Sequence, residues 1–354
     1  MRTNHRFYSN LAFRLAETNL GKTKKNPSVG CIVVKNNSVI STGVTSLNGR
    51  PHAEYNALNK NINFEGSYMY VTLEPCTHYG KTPPCTKIIK MKKIKKVFYC
   101  YKDPFLTSIN KKKYNLNEVI SQLKDVDNDN KNFYKSYYIN ILNDFPLIDA
   151  KLAISKDFFT INKKKKWITN LKSRNLAHLL RSKYDCIVST SKSINKDNSL
   201  LNCRLNGFNF FSPDLIIVDR HLNIKKNLQL FDISKKRNTY IFTKKKNKKI
   251  SFLKKKKIKV FEIKELNNKE NFNSFFKKIF KLGKNRILIE TGLTFLNQLL
   301  KYKLINNLFI FQSSQKIKKN GSNNSKIDYI KKLKLNNVMK VNLDGDSLIK
   351  IRIK

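Results

Sequence analysis

Three residues able to bind a single metal ion constrain the fold of this chain more than any other feature. His52 stands in a Pro-His-Ala-Glu run, Cys76 in a Glu-Pro-Cys run, and Cys85 in a Pro-Pro-Cys run. Imidazole nitrogen and thiolate sulfur are ligands that zinc prefers in proteins. A fold that uses them together has to bring three distant points of the chain within bonding distance of one ion.

Glu54, two residues after the candidate histidine ligand, indicates the chemistry. A catalytic zinc ion has three protein ligands and a bound water, whose pKa it lowers towards neutrality. A carboxylate beside that water can take up its proton and pass it to a departing amine. One histidine, two cysteines and such a glutamate are what a zinc-dependent deaminase of a nucleobase-like ring requires.

A structural zinc site is the alternative, and it would need a fourth protein ligand. His78, two residues after Cys76, is the nearest candidate. We favour the catalytic site because the His-Ala-Glu and Pro-Cys elements occur together. The sequence leaves open whether Glu74 supports a metal ligand or caps a helix.

Apolar patterns predict alternating strands and helices, which indicate a layered α/β domain over 1–145. Helices are expected to begin at Ala53 and Thr86, beside the candidate ligands, and further helices are expected over 5–20 and 132–142. The predicted strands cover 31–34, 39–43, 67–73 and 97–100.

A second, larger α/β domain is predicted over 146–354, because 354 residues are too many for one ordinary core. Its predicted strands cover 147–154, 186–189, 215–218, 239–243, 258–263, 286–290 and 307–312, and its predicted helices cover 173–182, 271–282 and 293–302. We interpret the lysine runs 244–249 and 254–257 as loops. The Lys- and Asn-rich C-terminal residues give no clear pattern.

The net charge of +48 and the pI of about 10.1 are typical of nucleic-acid-binding proteins. The lysines, however, are spread along the whole chain beside abundant asparagine, as an A+T-rich genome would produce without selection for binding. We therefore expect small-molecule substrates and no specific nucleic acid, with only weak, salt-sensitive binding to polyanions.

The sequence also predicts where in the cell the protein is found. No apolar run reaches the roughly 18 residues needed to span a membrane, and the N-terminus lacks the pattern of a secretory signal. Six cysteines are few for a disulfide scaffold of this length, and metal thiolates suit a reducing compartment. We expect a cytoplasmic protein with no membrane contact.

The first half resembles the bifunctional riboflavin-biosynthesis family RibD. The resemblance is carried by Asn26 to Cys31, by Pro51 to Glu54 and by the long run from Val71 to Cys85. It implies a cytidine-deaminase-like three-layer fold and deamination of a GTP-derived pyrimidine that bears a phosphoribosylamino group. It also implies Zn²⁺ on His52, Cys76 and Cys85, with Glu54 as the proton donor.

The eight residues between the two cysteines favour this family over deaminases of RNA or DNA, which typically have two. Within this insert, Lys81 is a candidate for the substrate phosphate. Asn26 is a candidate hydrogen-bonding partner of the pyrimidine. The sequence departs from the family at Val44 to Ser46, where a histidine is usual.

The second half resembles the reductase of the same family, which has a dihydrofolate-reductase-like fold and uses NADPH to open the ribose ring. The segments from Lys151 to Asp157 and from Glu290 to Thr294 carry the match. Residues assigned to substrate through the resemblance are Arg181, Leu201, Arg204 and Glu290. Those assigned to NADPH are Lys151, Trp167, Thr169, Ser193, Asp197 and Gly292.

Departures from the family pattern keep other functions open. Phe158-Phe159 stands where the family has glycine, and Asn198-Ser199 replaces an Asp-Pro step. One alternative is therefore a deaminase with an inactive reductase domain, and another is an RNA-binding nucleobase deaminase. The family relationship also implies a homo-oligomer, which no residue of this chain indicates by itself.

Overall fold

The computed structural model describes residues 4–108, 119–124, 126–207, 212–232, 237–245, 247–325 and 329–354. The chain divides into two compact units, Met1–Phe145 and Pro146–Lys354. Both units are mixed α/β structures. No helix in these ranges is both long enough and apolar enough to cross a bilayer.

The first unit is built on a mixed sheet with the strand order β2-β1-β3-β4-β5. Strand β1 is antiparallel to β2 and β3, whereas β3, β4 and β5 are parallel. The strands are β1 Gly30–Lys35, β2 Ser38–Val44, β3 Tyr68–Leu73, β4 Lys96–Tyr101 and β5 Ile120–Gln122. The helices are α1 His5–Thr18, α2 Ala53–Leu58, α3 Cys85–Met91, α4 Pro104–Ser108 and α5 Lys135–Asn143.

Helices cover both faces of this sheet, because side chains of β1, which lies between β2 and β3, alternate between two cores. Cys31 and Val33 of β1 pack in a cluster with Ala53 and Ala57 of α2. The intervening residues Ile32 and Val34 belong to a second cluster that includes Tyr8 and Ala12 of α1. The result is a three-layer unit.

A glycine fixes how closely α2 approaches the sheet. A Cβ atom on Gly43 of β2 would lie 2.1 Å from the carbonyl oxygen of Ala53 and 2.6 Å from the nitrogen of Ala57. Only a residue without a side chain permits this backbone contact. Because His52 immediately precedes α2, the same contact sets the position of the candidate ligand.

The second unit contains an eight-stranded sheet with the order β11-β10-β9-β8-β12-β6-β13-β15, and β7 pairs with β14. The strands are β6 Leu147–Ile154, β7 Ile161–Asn162, β8 Cys186–Thr190, β9 Asp214–Val218, β10 Thr239–Thr243, β11 Lys259–Glu262, β12 Arg286–Ile289, β13 Asn307–Gln312, β14 Gly321–Ser322 and β15 Ser347–Arg352. The helices are α6 Leu171–Arg181, α7 Ser191–Asp197, α8 Lys249–Lys255, α9 Lys269–Lys281 and α10 Leu293–Lys301.

Neighbouring strands of the large sheet are parallel, except that β15 runs antiparallel to β13. Strand β12 lies between β6 and β8, so the carboxyl ends of these three strands are adjacent. Open parallel sheets bind ligands at such an edge. The candidate residues Glu290 and Ser193 follow β12 and β8 at that edge.

The expectation that both lysine runs form loops was wrong, and the C-terminal residues contain a strand that their sequence did not indicate. Residues Lys249–Lys255, which include parts of both lysine runs, form helix α8 rather than a loop, because Leu253 is fully buried and Ile250 packs beside it. The C-terminal residues contribute β15, which buries Leu348 and Ile349. Lysine stems can lie along apolar surface with their charges in water, so a high lysine content does not exclude regular structure.

Candidate active site

The three candidate ligands converge in the first unit. The imidazole nitrogen of His52 and the sulfurs of Cys76 and Cys85 all lie within 4.8 Å of one another. The Nδ1 atom of His52 is 3.7 Å from the Cys76 sulfur and 3.4 Å from the Cys85 sulfur. His52 precedes α2, Cys76 follows β3, and Cys85 is the first residue of α3.

This donor set fits zinc. One nitrogen and two sulfurs on separate elements form a compact triangle, and three protein ligands leave a tetrahedral position for water. His78, the alternative fourth ligand, is not part of the cluster that the described residues form. Its ring lies 5.3 Å from that of Phe105, centroid to centroid. The arrangement therefore matches the catalytic rather than the closed type of zinc site.

Hydrogen bonding prepares one thiol for metal binding. The backbone nitrogen of Cys85 donates to the sulfur of Cys76 at 3.2 Å. The Cys85 side chain is the main cause that lowers the pKa of Cys76 to about 4, and His52 lowers it further. A thiolate is the form that binds metal.

Glu54 is the only charged side chain buried in α2, and its exposed fraction is 4%. Burial raises the pKa of this carboxyl group to about 7, and the negative charge of Cys76 adds to the rise. The carboxylate contacts the Cys85 side chain. A glutamate with this pKa exists in both protonation states near neutral pH, which is what proton transfer in both directions requires.

The two candidate substrate residues of this unit lie on loops. The side-chain nitrogen of Asn26 donates to the carbonyl oxygen of Gly49 at 2.7 Å, which fixes its amide plane. Lys81 is exposed. Glu74 accepts from the backbone nitrogen of Asp103 at 3.2 Å, immediately before α4, and so supports the start of a helix.

Sequence reasoning missed Arg50. Its guanidinium Nη1 donates to the hydroxyl of Thr82 at 2.5 Å, and the arginine packs beside Gly80. It thereby connects the segment before His52 to the insert between the cysteines. An isolated arginine two residues from a ligand carries no motif that could have revealed this contact.

In the second unit, Glu290 forms two ion pairs. Arg181 donates to both carboxylate oxygens, from Nε at 2.6 Å and from Nη2 at 2.9 Å, and the Lys151 ammonium lies 3.8 Å away. Burial opposes ionisation of Glu290, but Arg181 and Lys151 outweigh it and lower the pKa to about 2. Burial in turn lowers the pKa of Lys151.

The sheet explains why Lys151 and Glu290 meet. Ala150 of β6 and Ile289 of β12 are paired, so the next residue of each strand continues side by side. Arg181 ends helix α6 and reaches the same edge. The cluster thus brings together three residues that the sequence assigned separately, one to NADPH and two to substrate.

Ser193 and Gly292 also come together. The backbone nitrogen of Gly292, which precedes α10, donates to the Ser193 hydroxyl at 3.1 Å. A Cβ atom on Gly292 would lie 2.6 Å from the amide nitrogen of Asn324, so a side chain would meet this neighbour. Asp197, the last residue of α7, is exposed at the surface, although desolvation by the surrounding protein raises its pKa.

Trp167 and Thr169 both contact Arg174. The Arg174 guanidinium lies 4.9 Å from the Trp167 ring centre and donates to the Thr169 carbonyl at 2.7 Å. Trp167 is 52% exposed. Leu201 is buried at a φ of 49°, and Arg204 is exposed, with Nη1 2.6 Å from the Asn202 side-chain oxygen.

His178 is a further residue that sequence reasoning missed. Its Nδ1 atom is 3.0 Å from the Asn202 carbonyl oxygen and 3.3 Å from Arg181 Nη1. Burial lowers the pKa of His178 to about 4, and the charge of Arg181 lowers it further. The spacing of His178 and Arg181 on one face of α6 is the signal that could have identified it.

Comparisons with known proteins agree with this division of chemistry. The model of the cytidine and deoxycytidylate deaminase zinc-binding region matches residues 2–101, and that of the RibD C-terminal domain matches 146–315. The chain is 30% identical over 309 residues to riboflavin biosynthesis protein RibD of Aquifex aeolicus, covering 86% of this chain and 85% of the relative.

The chain belongs to the RibD family. A second RibD, from Buchnera aphidicola, is 32% identical over 319 residues, and the alignment covers 86% of this chain and 86% of the relative. RibD membership confirms the predicted family, the α/β class of both halves, and an enzyme of riboflavin biosynthesis with deaminase and reductase domains.

Solved RibD structures share the fold. Acinetobacter baumannii RibD aligns with a TM-score of 0.79 at 23% identity, covering 98% of each chain. The deaminase/reductase of Thermotoga maritima aligns with a TM-score of 0.80 at 24% identity, with the same coverage. The zinc-binding region matched in the first unit contains His52, Cys76 and Cys85, so zinc as the cofactor of that unit is confirmed.

Proposed function

We propose that this chain deaminates 2,5-diamino-6-(5-phosphoribosylamino)pyrimidin-4-one and then reduces the product with NADPH to 5-amino-6-(5-phosphoribitylamino)uracil. Residues 1–145 perform the first step and residues 146–354 the second. The observation that carries the proposal is the convergence of His52, Cys76 and Cys85 beside the buried Glu54.

In the deaminase step, one water replaces one amino group of the ring, and ammonia leaves. Zinc, when bound, supplies a water of lowered pKa. His52, Cys76 and Cys85 hold the metal, and Glu54 accepts a proton and delivers it to the departing amine. The pKa of about 7 at Glu54 suits both transfers.

Substrate recognition in this unit rests on polar side chains near the cluster. The Asn26 amide, whose nitrogen is bound to Gly49, can present its oxygen to a ring N–H. Lys81 offers an ammonium to the phosphate, and Arg50, which precedes His52 and is anchored to Thr82 of the insert, adds a guanidinium. Guanidinium and ammonium groups are the common protein partners of phosphate.

In the reductase step, NADPH supplies the hydride, and the protein supplies geometry. The carboxylate of Glu290, held by Arg181 and Lys151, lies at the carboxyl edge of the central strands and orients the ribosyl group. Leu201 and Arg204 contact the rest of the substrate. Trp167, Thr169, Ser193, Asp197 and Gly292 contact the cofactor, with Gly292 at the start of α10.

The proposal extends to the setting of the enzyme. All six cysteines carry thiols rather than disulfides, which suits the reducing cytoplasm. Substrates are small phosphorylated pyrimidines, and the spread of lysines along the chain favours no specific nucleic-acid partner. By analogy with other enzymes of the family, the protein works as a homo-oligomer.

A two-step assay tests the proposed function. Purified full-length protein with measured zinc content receives the diaminopyrimidine phosphate, and ammonia release is followed before NADPH absorbance. Ammonia followed by NADPH consumption supports both activities. Ammonia alone leaves a deaminase with an inactive reductase domain. If neither signal appears with about one zinc per chain, the substrate assignment is wrong.

A further inference from the structure

Arg237, a buried arginine just before β10, has no role in the reaction described so far. Its exposed fraction is 8%. Nη1 donates to the Leu201 carbonyl at 2.6 Å and to the Pro213 carbonyl at 3.1 Å, and Nη2 donates to the Leu200 carbonyl. A single guanidinium therefore joins the segment after α7 to the segment before β9.

The next carbonyl along this segment is also bound by an arginine. The Asn202 oxygen accepts from Nη1 of Arg181 at 3.0 Å. Three consecutive carbonyls, those of Leu200, Leu201 and Asn202, thus point at two guanidinium groups. No helix or strand includes these residues, so the arginines take the place of regular backbone hydrogen bonds.

The conformation of this turn needs such support. Leu201 has a φ of 49°, in the left-handed region that non-glycine residues seldom occupy. Such a residue persists only where its surroundings determine its conformation. Two of the three Arg237 bonds go to Leu201 and to the residue before it, so Arg237 acts at the strained position.

The turn carries residues proposed to bind substrate. Leu201 lies in it, and Arg204 follows and is tied back to the Asn202 side chain at 2.6 Å. Three arginines, at 181, 204 and 237, surround the segment. Mutual repulsion opposes such a grouping, and a bound phosphate would relieve it.

We propose that Arg237 is a positioning residue of the reductase, holding the Leu200–Asn202 turn so that Leu201 and Arg204 meet the phosphorylated end of the substrate. The inference rests on the proposed function. In this proposal, Arg237 does not touch substrate or NADPH. Its effect passes through the turn.

The bond pattern calls for arginine in particular. A guanidinium has five donors in a rigid plane, which allows one side chain to reach three carbonyls. A lysine ammonium at the same position keeps the charge but can hold fewer of these bonds in fixed directions. The reductase KM for substrate in Arg237→Lys should therefore lie between the values for the wild type and Arg237→Ala.

The test uses the full-length protein and measures both activities. For Arg237→Ala, we expect the KM of the reductase for its substrate to rise about tenfold while kcat changes less than about twofold. The KM for NADPH and the deaminase rate on the same chain should stay unchanged. Arg352→Ala, an exposed arginine on β15, is the matched control and should leave all four constants unchanged.

Binding of ribose 5-phosphate, followed by calorimetry, provides a readout that needs no turnover. We expect about tenfold weaker binding to Arg237→Ala, partial recovery in Arg237→Lys, and recovery in Arg237→Ala when guanidinium ion is added. Unchanged binding and unchanged KM would overturn the proposal. So would equal losses in substrate KM, NADPH KM and kcat, which indicate a general structural role. Absence of NADPH consumption in the wild type would instead refute the proposed reductase function, and the binding comparison would still decide the role of Arg237.

Discussion

The backbone nitrogen of Cys85 donates a hydrogen bond to the sulfur of Cys76 at 3.2 Å. The bond joins the first residue of α3 to Cys76, which the segment Glu74-Pro75 connects to the end of β3. Because the first N–H groups of a helix have no partners within the helix, they are free to stabilise an anionic ligand. The helix that supplies the third ligand thus also supports the second.

Replacing Cys76 tests this metal site. Cys76→Ser should weaken zinc binding more than about a hundredfold, because a neutral hydroxyl replaces a thiolate ligand. Zinc content by atomic absorption and ammonia release measure the effect. Cys100→Ser is the matched control, since Cys100 is also buried but lies outside the cluster. Equal zinc content in the two variants would contradict the assignment.

Removing the metal should separate the two activities. A chelator should abolish ammonia release, and added zinc should restore it, because the metal that His52, Cys76 and Cys85 would hold would supply the activated water of this step. The rate of NADPH oxidation with the deaminated intermediate should stay unchanged, since the described ligand cluster lies in the first unit. Parallel loss of both activities would argue against independent sites.

Glu54→Gln tests proton transfer. The amide has nearly the same shape but cannot accept a proton, so we expect the deaminase kcat to fall by about a hundredfold to ten-thousandfold. Zinc content should be retained. Glu65→Gln, which removes an exposed partner of Lys93, is the control and should keep full activity. A Glu54→Gln variant with wild-type kcat would exclude Glu54 as the proton carrier.

Gly43→Ala tests how α2 is positioned. The added Cβ would meet the Ala53 backbone oxygen at 2.1 Å, so α2 must move. We expect a loss of about 3 kcal/mol in unfolding free energy and weaker zinc binding. Gly66→Ala controls for backbone strain alone: nothing lies within 4 Å of its added Cβ, and its φ of 77° should cost about 1 kcal/mol. Similar losses in both variants would argue against the close contact.

The zinc cluster could be predicted because each ligand lies in a short motif at the edge of a strand or helix. His52, Cys76 and Cys85 each mark such a boundary, and local spacing is what a sequence displays most directly. Strands in which apolar and polar residues alternate, and strands made of consecutive apolar residues, were predicted for the same reason. Arg50 could not be found in this way, because its partner Thr82 is distant in the sequence.

The second unit shows the limit of local patterns more strongly. Arg181 and Glu290 were each assigned to substrate, but their mutual ion pair depends on where α6 packs relative to β12. The pairing of β12 with β6, which brings Lys151 beside them, is likewise a property of the assembled sheet. Helix α8 and strand β15 were not predicted because each has only one or two fully buried apolar residues, and these lie in lysine-rich parts of the sequence.

The Glu290 ion pairs predict how the stability of the second unit depends on pH. The folded pKa of Glu290 is lowered from 4.5 to about 2, so its stabilising contribution is complete above about 4.5 and is lost as the pH falls towards 2. The shift corresponds to about 3 kcal/mol at neutral pH. Glu290→Gln should therefore be destabilised by about this amount at pH 7 and should approach the wild type near pH 2.

Urea unfolding at several pH values measures this difference. Trp167 is the only tryptophan of the chain and lies in the second unit, so its fluorescence reports that unit. Glu265→Gln is the control, because Glu265 is 44% exposed and its ion pairs with Arg220 and Lys244 lie at the surface, so its removal should alter the pH profile little. If the loss of unfolding free energy in Glu290→Gln persists unchanged down to pH 2, lost packing rather than ionic pairing with Arg181 and Lys151 explains the effect. Breaking a buried ion pair from one side leaves the remaining charges without a partner, so a stable variant at pH 7 would equally contradict the pairing.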